Sequence, residues 1–328
     1  MPPDAVSDTP LIPEGKARSR WGDTTFRTIA FISAGVVILL TGLLLWKLWS
    51  GSLPTIKLLG WKMLVERQWN ADNQLYGALP FIYGTLVTSA IALVLAVPLS
   101  VFTAIYLTDL APTWLRQPLV SVIEMLAAVP SVIWGLWGIF VMVPWLRVYA
   151  FPFLHTVFGH IPGIGVLFSG PIFGIGYLSA GIIVAIMITP IITAVSREVL
   201  RSVPDLQREA AYALGATRWE VTKIAVLSYA KRGLMGASVL GLGRALGETM
   251  AVTMVIGNSA NISASLFAPG YSLASVIANE FGEAGADVRY TSALFELGLI
   301  LLGITIIVNI IALLLVRAVT TKGGSRPA

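Results

Sequence analysis

Two ionisable residues stand four positions apart inside an apolar run of the sequence. Arg244 and Glu248 lie in the stretch GLGRALGETMAV, within the run Leu234–Ile256. A charged side chain at membrane depth costs roughly 2.5–3.5 kcal/mol on insertion scales, so each residue needs a partner or a water-filled path. On an uninterrupted helix their spacing places both side chains on one face, where they can form an internal ion pair.

A second interpretation is that these residues contact a passing anion. The Arg244 guanidinium is a planar fork of donors that matches a tetrahedral oxyanion. The Glu248 carboxylate repels a fully ionised anion, but it accepts a hydrogen bond from one that keeps a proton, as phosphate does near neutral pH. Thr249 and Thr253 add hydroxyl groups, although membrane threonines commonly bond to carbonyls of their own helix. The residue types favour a substrate pathway for phosphate, with the internal ion pair as the alternative.

The glycines around the arginine also fit two kinds of structure. A Gly-x-Gly nucleotide loop needs a preceding β-strand, and the run before Gly241 predicts none. Gly243 and Gly247 instead stand four residues apart in an apolar run. This small-xxx-small pattern lets membrane helices approach closely. We therefore expect Gly243 and Gly247 to pack against another helix.

The composition is that of an integral membrane protein. The chain has 328 residues, of which 56% are hydrophobic and 12% charged, and its mean hydropathy is +0.82. A soluble domain carries about 25% charged residues. Unbroken apolar runs predict helices rather than a barrel, so the expected fold is an all-α membrane bundle of six transmembrane helices. The predicted spans are Phe26–Leu48, Leu79–Leu107, Pro118–Val143, Phe173–Ala194, Leu234–Ile256 and Thr291–Val316.

The basic residues predict the orientation of these spans. About fifteen Lys and Arg residues fall on one side of the predicted topology and six on the other. The positive-inside rule then places both termini in the cytoplasm of a cell-membrane protein. The loop from Pro144 to Gly170 and an acidic loop containing Glu280 are expected to face outward. The net charge of +5 reflects this orientation, and no nucleic-acid partner is expected.

The long cytosolic connection at residues 196–232 has a helical pattern. Pro204 fits the first turn of a helix, where its missing N–H costs nothing. Gly215 supplies the left-handed residue that ends a helix. Thr217 can cap a following helix, with Glu220 completing a capping box. The sequence therefore predicts two short helices joined by a sharp turn, the first with an apolar face. That face comprises Leu206, Ala210, Ala213 and Leu214.

Other ionisable residues give weaker predictions. Glu124 lies in the predicted third span before a kink at Pro130 and is a candidate for the pathway, whereas Glu296 near the outer end of the sixth span is a weaker one. His155 and His160 have no nearby carboxylate, so no metal site is expected. The chain has no cysteine and no Walker A sequence. We therefore expect this chain to bind neither ATP nor another cofactor.

Three motifs together resemble the permease subunits of phosphate-specific (Pst) ABC importers, which belong to the MetI-like permease superfamily. They are GRALGETMAV, the stretch EMLAAVPSVIWGLWG, and a Glu-Ala-Ala loop followed by glycine. The resemblance covers roughly residues 80–317, and the additional first helix resembles the PstC type. In this family the loop docks on an ATPase and continues to Ile-x-Leu-Pro, of which only Leu227 is kept here. The corresponding loop residues are Glu209, Ala210, Ala211, Gly215, Ala216 and Thr217.

The resemblance implies a transporter subunit rather than an enzyme. Its implied partners are a homologous second permease (PstA type), a cytosolic ATPase dimer (PstB type), an external phosphate-binding protein (PstS type) and membrane lipid. The resemblance also implies that ATP and Mg²⁺ bind to the partner ATPase and that this chain holds no cofactor. The alternatives are a permease for sulfate, molybdate or phosphonate, a proton-coupled secondary transporter using Glu124 and Glu248, and a structural scaffold. The implied organisation is a tail at 1–24, a first helix and outward segment at 25–78, a permease core at 79–317 and a tail at 318–328.

Overall fold

The computed structural model describes residues 20–321, and the chain is helical over most of this range. The predicted tails therefore lie largely outside the described residues. The α-helices are α1 (Arg20–Leu59), α2 (Lys62–Val65), α3 (Leu79–Ile105), α4 (Thr113–Ala128), α5 (Ser131–Trp137), α6 (Val143–Trp145), α7 (Phe151–Phe158), α8 (Tyr177–Arg201), α9 (Asp205–Ala213), α10 (Arg218–Val221), α11 (Leu227–Leu246), α12 (Met250–Val255), α13 (Leu273–Glu280) and α14 (Val288–Thr321). Strands β1 (Trp69–Asn70) and β2 (Leu75–Tyr76) form an antiparallel hairpin.

Several helices continue through turns of a different pitch. π-helical turns extend α3 through Tyr106–Leu110 and join α10 to α11 through Thr222–Val226. Two further π-helical turns, Gly138–Met142 and Leu146–Ala150, join α5, α6 and α7 into one helix. Short 3₁₀ turns occur at Gly165–Phe168 and Ala284–Ala286.

Two compact units divide the chain after Ser50. The described part of the first unit is the beginning of α1, whose side chains are exposed from Thr24 to Lys47. A helix that is apolar on all sides suits a lipid environment. The helix begins at Arg20, within the predicted tail, and ends at Leu59. Gly60 then takes a φ of +50° and donates its N–H to the Ile56 carbonyl at 2.9 Å, a glycine C-cap.

Five helices of the described residues are long and apolar enough to cross a membrane. The predicted all-α membrane bundle is confirmed, but the fifth predicted span, Leu234–Ile256, is interrupted between α11 and α12. Proline and glycine break membrane helices where surrounding groups satisfy the freed backbone atoms. The five continuous spans are Thr24–Leu59, Leu79–Leu110, Ser131–Phe158, Tyr177–Arg201 and Val288–Arg317.

The third span lies further along the chain than the sequence predicts. Val129 and Pro130 are extended, with ψ of 126° and 141°, and separate α4 from α5. A proline disfavours helical geometry in the residue before it, so Pro130 ends a helix here instead of kinking one. The span then runs on to Phe158. The first half of the predicted outer loop at 144–170 is therefore helix, and α4 is a separate amphipathic helix.

The core of the second unit surrounds α8. Two-thirds of the apolar window of this helix is buried, a larger share than in any other span of the described residues. Glycines allow its neighbours to approach closely, because a Cβ at Gly181 would lie 2.4 Å from Ile91 of α3. A Cβ at Gly241 of α11 would lie 2.4 Å from Ile192. Helix α8 therefore holds α3 and α11 in position.

A second core lies beside the β-hairpin, in the segment predicted to face outward. The Trp69 indole donates a hydrogen bond to the Glu280 carboxylate at 2.7 Å, and the Tyr290 hydroxyl donates to the same oxygen at 2.6 Å. Burial of Tyr271, close to this cluster, raises the pKa of its phenol to about 12. The outward segment predicted between the first two spans therefore contains an ordered hairpin. A hydrogen bond from Trp69 joins this hairpin to Glu280 at the end of α13.

Candidate translocation site and connecting loop

The segment that carries Arg244 and Glu248 is a broken helix. Helix α11 ends at Leu246, and α12 begins at Met250. Gly247 and Thr249 have φ of −94° and −110°, outside regular helix geometry. The prediction that Arg244 and Glu248 share one face of an uninterrupted helix is therefore wrong. Glycine destabilises helix interiors; Gly241 and Gly243 shortly precede the break, and Gly247 lies in it.

The two charged residues occupy different environments. Arg244 is exposed, whereas Glu248 is only 8% exposed. Glu248 accepts a long hydrogen bond, 3.5 Å, from the backbone N–H of Ala251 in the first turn of α12. Among residues 20–321 the Arg244 guanidinium forms no ion pair, so the internal pair with Glu248 does not form. The exposed guanidinium is free to contact a group outside this chain.

The threonines at the break bond to the backbone. The Thr249 hydroxyl donates to the Gly247 carbonyl at 3.2 Å, and the Thr253 hydroxyl donates to the Thr249 carbonyl at 2.8 Å. Asn258, which the sequence interpretation did not include, donates to the Thr253 carbonyl at 3.0 Å. Its φ of +48° marks it as a special backbone position. Thr249 keeps its hydroxyl oxygen as an acceptor at the surface of the break.

Gly243 and Gly247 make no close helix contact with any other residue between 20 and 321. A Cβ at Gly243 would meet nothing within 4 Å, and one at Gly247 would meet only the Gly243 carbonyl at 3.8 Å. The close approach to α8 occurs instead at Gly241 and at Gly233, where a Cβ would lie 2.4 Å from Val199. The open surface around Gly243 and Gly247 adjoins Arg244. Packing there against a second membrane subunit stays a prediction.

Glu124 lies outside the spanning helix in which it was predicted. It belongs to α4, its side chain is 58% exposed, and it forms an ion pair of 3.4 Å with Arg197 near the end of α8. The shift of the third span past Pro130 explains this position. Its role in the substrate pathway stays a prediction. Glu296 of α14 is buried, and one of its carboxylate oxygens finds no hydrogen-bond partner in the described part of the chain.

The histidines lie at the end of α7, with the ring centroids of His155 and His160 6.3 Å apart. The described residues contain no group of three or more His, Cys, Asp or Glu side chains that could hold a metal ion. The expectation that this chain binds no metal stays a prediction.

The connecting loop between α8 and α10, residues 202–217, has the predicted helix-turn-helix geometry. Gly215 has a φ of +79° after α9. Glu220 accepts the Thr217 N–H at 2.8 Å, while the Thr217 hydroxyl accepts the Glu220 N–H at 3.4 Å, so the capping box is confirmed. These hydrogen bonds lower the pKa of Glu220. Pro204 is the N-cap residue rather than the first helical one, and the second helix continues into α11.

The outer surface of this loop is uncovered in the part of the chain that the structure describes. Helix α9 contains no buried residue, and Leu206 and Leu214 are 75% and 90% exposed. The Glu-Ala-Ala residues and the turn are exposed or half-buried, so a partner can reach them. These are Glu209, Ala210, Ala211, Gly215, Ala216 and Thr217. Leucines exposed to this extent on a short, ordered loop indicate a protein-binding surface.

The inner side of the loop is tied to α3 by an ion pair that the sequence interpretation missed. The Arg208 guanidinium donates to Asp109 at 2.7 Å and to the Leu200 carbonyl at 3.2 Å. The Thr222 hydroxyl donates to the second Asp109 oxygen at 3.4 Å. Asp109 lies in the π-helical turn that extends α3. One carboxylate therefore connects this turn, the connecting loop and the π-helical turn that leads into α11.

The fold and these sites define a multi-pass α-helical membrane component with an exposed partner-binding loop. Residues 96–321 match the family described as binding-protein-dependent transport system inner membrane component. The match covers more than half of the chain, so this protein belongs to that family.

Its relatives include proteins of one transport system. The chain is 48% identical over 292 residues to the phosphate transport system permease protein PstC of Xylella fastidiosa strain 9a5c, covering 89% of each chain. It is 46% identical over 304 residues to PstC of Haemophilus influenzae, covering 92% of this chain and 96% of the relative. The predicted resemblance to the PstC type is confirmed.

Solved structures share the fold at lower identity. A bacterial ABC transporter involved in the import of the acidic polysaccharide alginate aligns with a TM-score of 0.51 at 16% identity, covering 90% of this chain and 99% of that one. An inward-facing MetNI methionine ABC transporter aligns with a TM-score of 0.50 at 20% identity, covering 74% and 94%. The predicted MetI-like permease fold is confirmed.

Proposed function

We propose that this protein is a permease subunit of an ATP-binding-cassette importer and that it translocates inorganic phosphate inward. The observation that carries the proposal is an exposed arginine at a broken membrane helix, in a chain nearly half identical to PstC permeases. Guanidinium groups bind tetrahedral oxyanions with a matching planar fork of donors. Arg244, together with Glu248 and Thr249 at the break, then forms part of the phosphate pathway.

The proposed mechanism is alternating access driven from the connecting loop. An ATPase bound to the exposed turn around Gly215 would move α10 and α11 together. The π-helical turn between α10 and α11 joins these two helices directly. Helix α11 carries Arg244 in its last turn. Closure and opening of the ATPases would thus alternate the access of the arginine to the two sides of the membrane.

The proposal includes partners that supply energy and capture substrate. They are a PstA-type permease, which would cover the surface around Gly243 and Gly247, a PstB-type ATPase dimer at the connecting loop, and a PstS-type phosphate-binding protein on the outer side. The chain itself would bind no cofactor and catalyse no reaction. The distribution of basic residues supports a cell-membrane location with both termini in the cytoplasm.

The test of the substrate is uptake by the complete transporter in liposomes. We expect labelled phosphate to accumulate with ATP, and excess sulfate or molybdate to compete poorly. Uptake of sulfate or molybdate in preference to phosphate would identify a permease for another oxyanion.

A proton-coupled secondary transporter is the alternative from a different class. The exposed leucines of the connecting loop favour a permease that binds an ATPase. Affinity purification from membranes distinguishes the two, because a secondary transporter would be recovered without an ATPase.

The Asp109–Arg208 pair makes a testable contribution to coupling. We expect Asp109→Asn to lower the phosphate transported per ATP hydrolysed about 3- to 10-fold, since it weakens a half-buried charge-assisted hydrogen bond that joins the loop to α3. Asp109→Arg combined with Arg208→Asp should restore part of the ratio. The matched control is Arg201→Gln, an exposed basic residue at the end of α8. An unchanged ratio in Asp109→Asn would show that the pair is not needed for coupling.

A further inference from the structure

An apolar groove runs between α3 and the first part of α11, before the break that follows Leu246. Its volume is about 380 Å³. Val97 and Val101 of α3 form one wall, and Leu227, Leu234 and Met235 of α11 form the other. Aliphatic side chains dominate this lining, so the groove suits a hydrocarbon chain better than a hydrated ion.

Two lysines stand at the same groove. Lys223 and Lys231 are both exposed and both line it. In the described part of the chain neither lysine forms an ion pair or a hydrogen bond. An apolar groove with two uncompensated positive charges is complementary to an amphiphile with an anionic head.

The groove residues of α11 precede the proposed pathway along the helix. Met235 precedes Arg244 by nine residues, which is about two and a half turns of an α-helix. The Met235 side chain therefore leaves the helix on the face opposite the Arg244 guanidinium. A second permease packed on the surface around Gly243 would leave this groove open to lipid.

We propose that the groove binds an anionic phospholipid. The headgroup phosphate lies between Lys223 and Lys231, and one acyl chain lies along Val97, Val101 and Leu227. The proposed topology places the lysines at the cytoplasmic leaflet, whose anionic lipids attract basic residues at membrane helices. The bound lipid would bridge α3 and the helix that joins the connecting loop to Arg244. The site does not depend on which oxyanion is transported.

The experiment measures lipid association with the complete, purified transporter. Spin-labelled phosphatidylglycerol and phosphatidylcholine are compared by electron paramagnetic resonance in phosphatidylcholine vesicles. We expect a preference for phosphatidylglycerol that falls at least about fivefold in the double variant Lys223→Gln and Lys231→Gln. The matched control is Arg201→Gln, which removes a basic residue outside the groove and should keep the preference.

A second variant tests the apolar part of the site. Val101→Trp fills the groove without a change of charge and should displace the labelled acyl chain. If the double glutamine variant does not assemble, Lys231→Gln alone should show a smaller loss of preference. An unchanged preference in the lysine variants would overturn the proposal. Displacement of the labelled lipid by millimolar inorganic phosphate would also overturn it, because the lysines would then bind a free anion.

Discussion

Replacing Arg244 with glutamine is expected to reduce phosphate uptake about 10- to 100-fold, the loss that corresponds to a hydrogen bond to a charged group. The side chain is exposed at the end of α11 and forms no ion pair within the described residues, so folding does not depend on its charge. Glutamine keeps a polar side chain but removes the positive charge and the planar fork that match an oxyanion. The measurement is ATP-dependent uptake of labelled phosphate by the reconstituted complex.

Two comparisons make this result specific to the pathway. Arg201→Gln removes an exposed arginine at the end of α8 and should leave uptake unchanged. Co-purification of the ATPase with the Arg244→Gln protein should equal that of the unmodified chain, because the connecting loop is unaltered. If Arg244→Gln transports phosphate at the normal rate, the guanidinium does not contact the substrate.

Replacing Gly215 with proline is expected to lower the phosphate transported per ATP hydrolysed about tenfold or more. The φ of Gly215 is +79°, whereas the proline ring fixes φ near −65°. Proline would also remove the N–H that Gly215 donates to the Tyr212 carbonyl at 2.9 Å. The turn between α9 and α10 would therefore change shape, at a cost of about 1–3 kcal/mol for the unsuitable backbone conformation alone.

The matched control is Gly215→Asn, because asparagine adopts left-handed backbone geometry more readily than other non-glycine residues. A Cβ at this position meets no atom within 4 Å, so the asparagine side chain finds space. We expect Gly215→Asn to retain most of the coupling. Equal transport per ATP in the proline and asparagine variants would show that the shape of this turn does not transmit the motion of the ATPase.

Features that depend on neighbouring residues could be predicted. The capping box of Thr217 and Glu220 and the left-handed Gly215 involve groups at most three residues apart, so the local sequence contains the whole interaction. The long apolar runs likewise predict membrane helices, because hydrocarbon leaves the backbone no other partner than its own carbonyls. The turn of the connecting loop was predictable for this reason.

Features that depend on the rest of the bundle could not be predicted. The periodicity of Leu234–Ile256 is compatible with a continuous helix, yet the helix is interrupted between Leu246 and Met250. The break separates Arg244 from Glu248 and removes the ion pair that their spacing favours. Pro130 was predicted to kink a span but ends α4, which moved Glu124 out of the membrane helix and into contact with Arg197.

The sequence by itself predicted a helical membrane protein with a capped connecting turn, because composition and local motifs carry that information. Its longer motifs carried the resemblance to permeases of the PstC type. Only the tertiary structure decided that the arginine is exposed and the glutamate buried, and that Gly241 rather than Gly243 packs against α8. It also brought together Asp109 and Arg208, which lie 99 residues apart. Such contacts depend on which helices become neighbours, and the pattern along one helix does not contain that information.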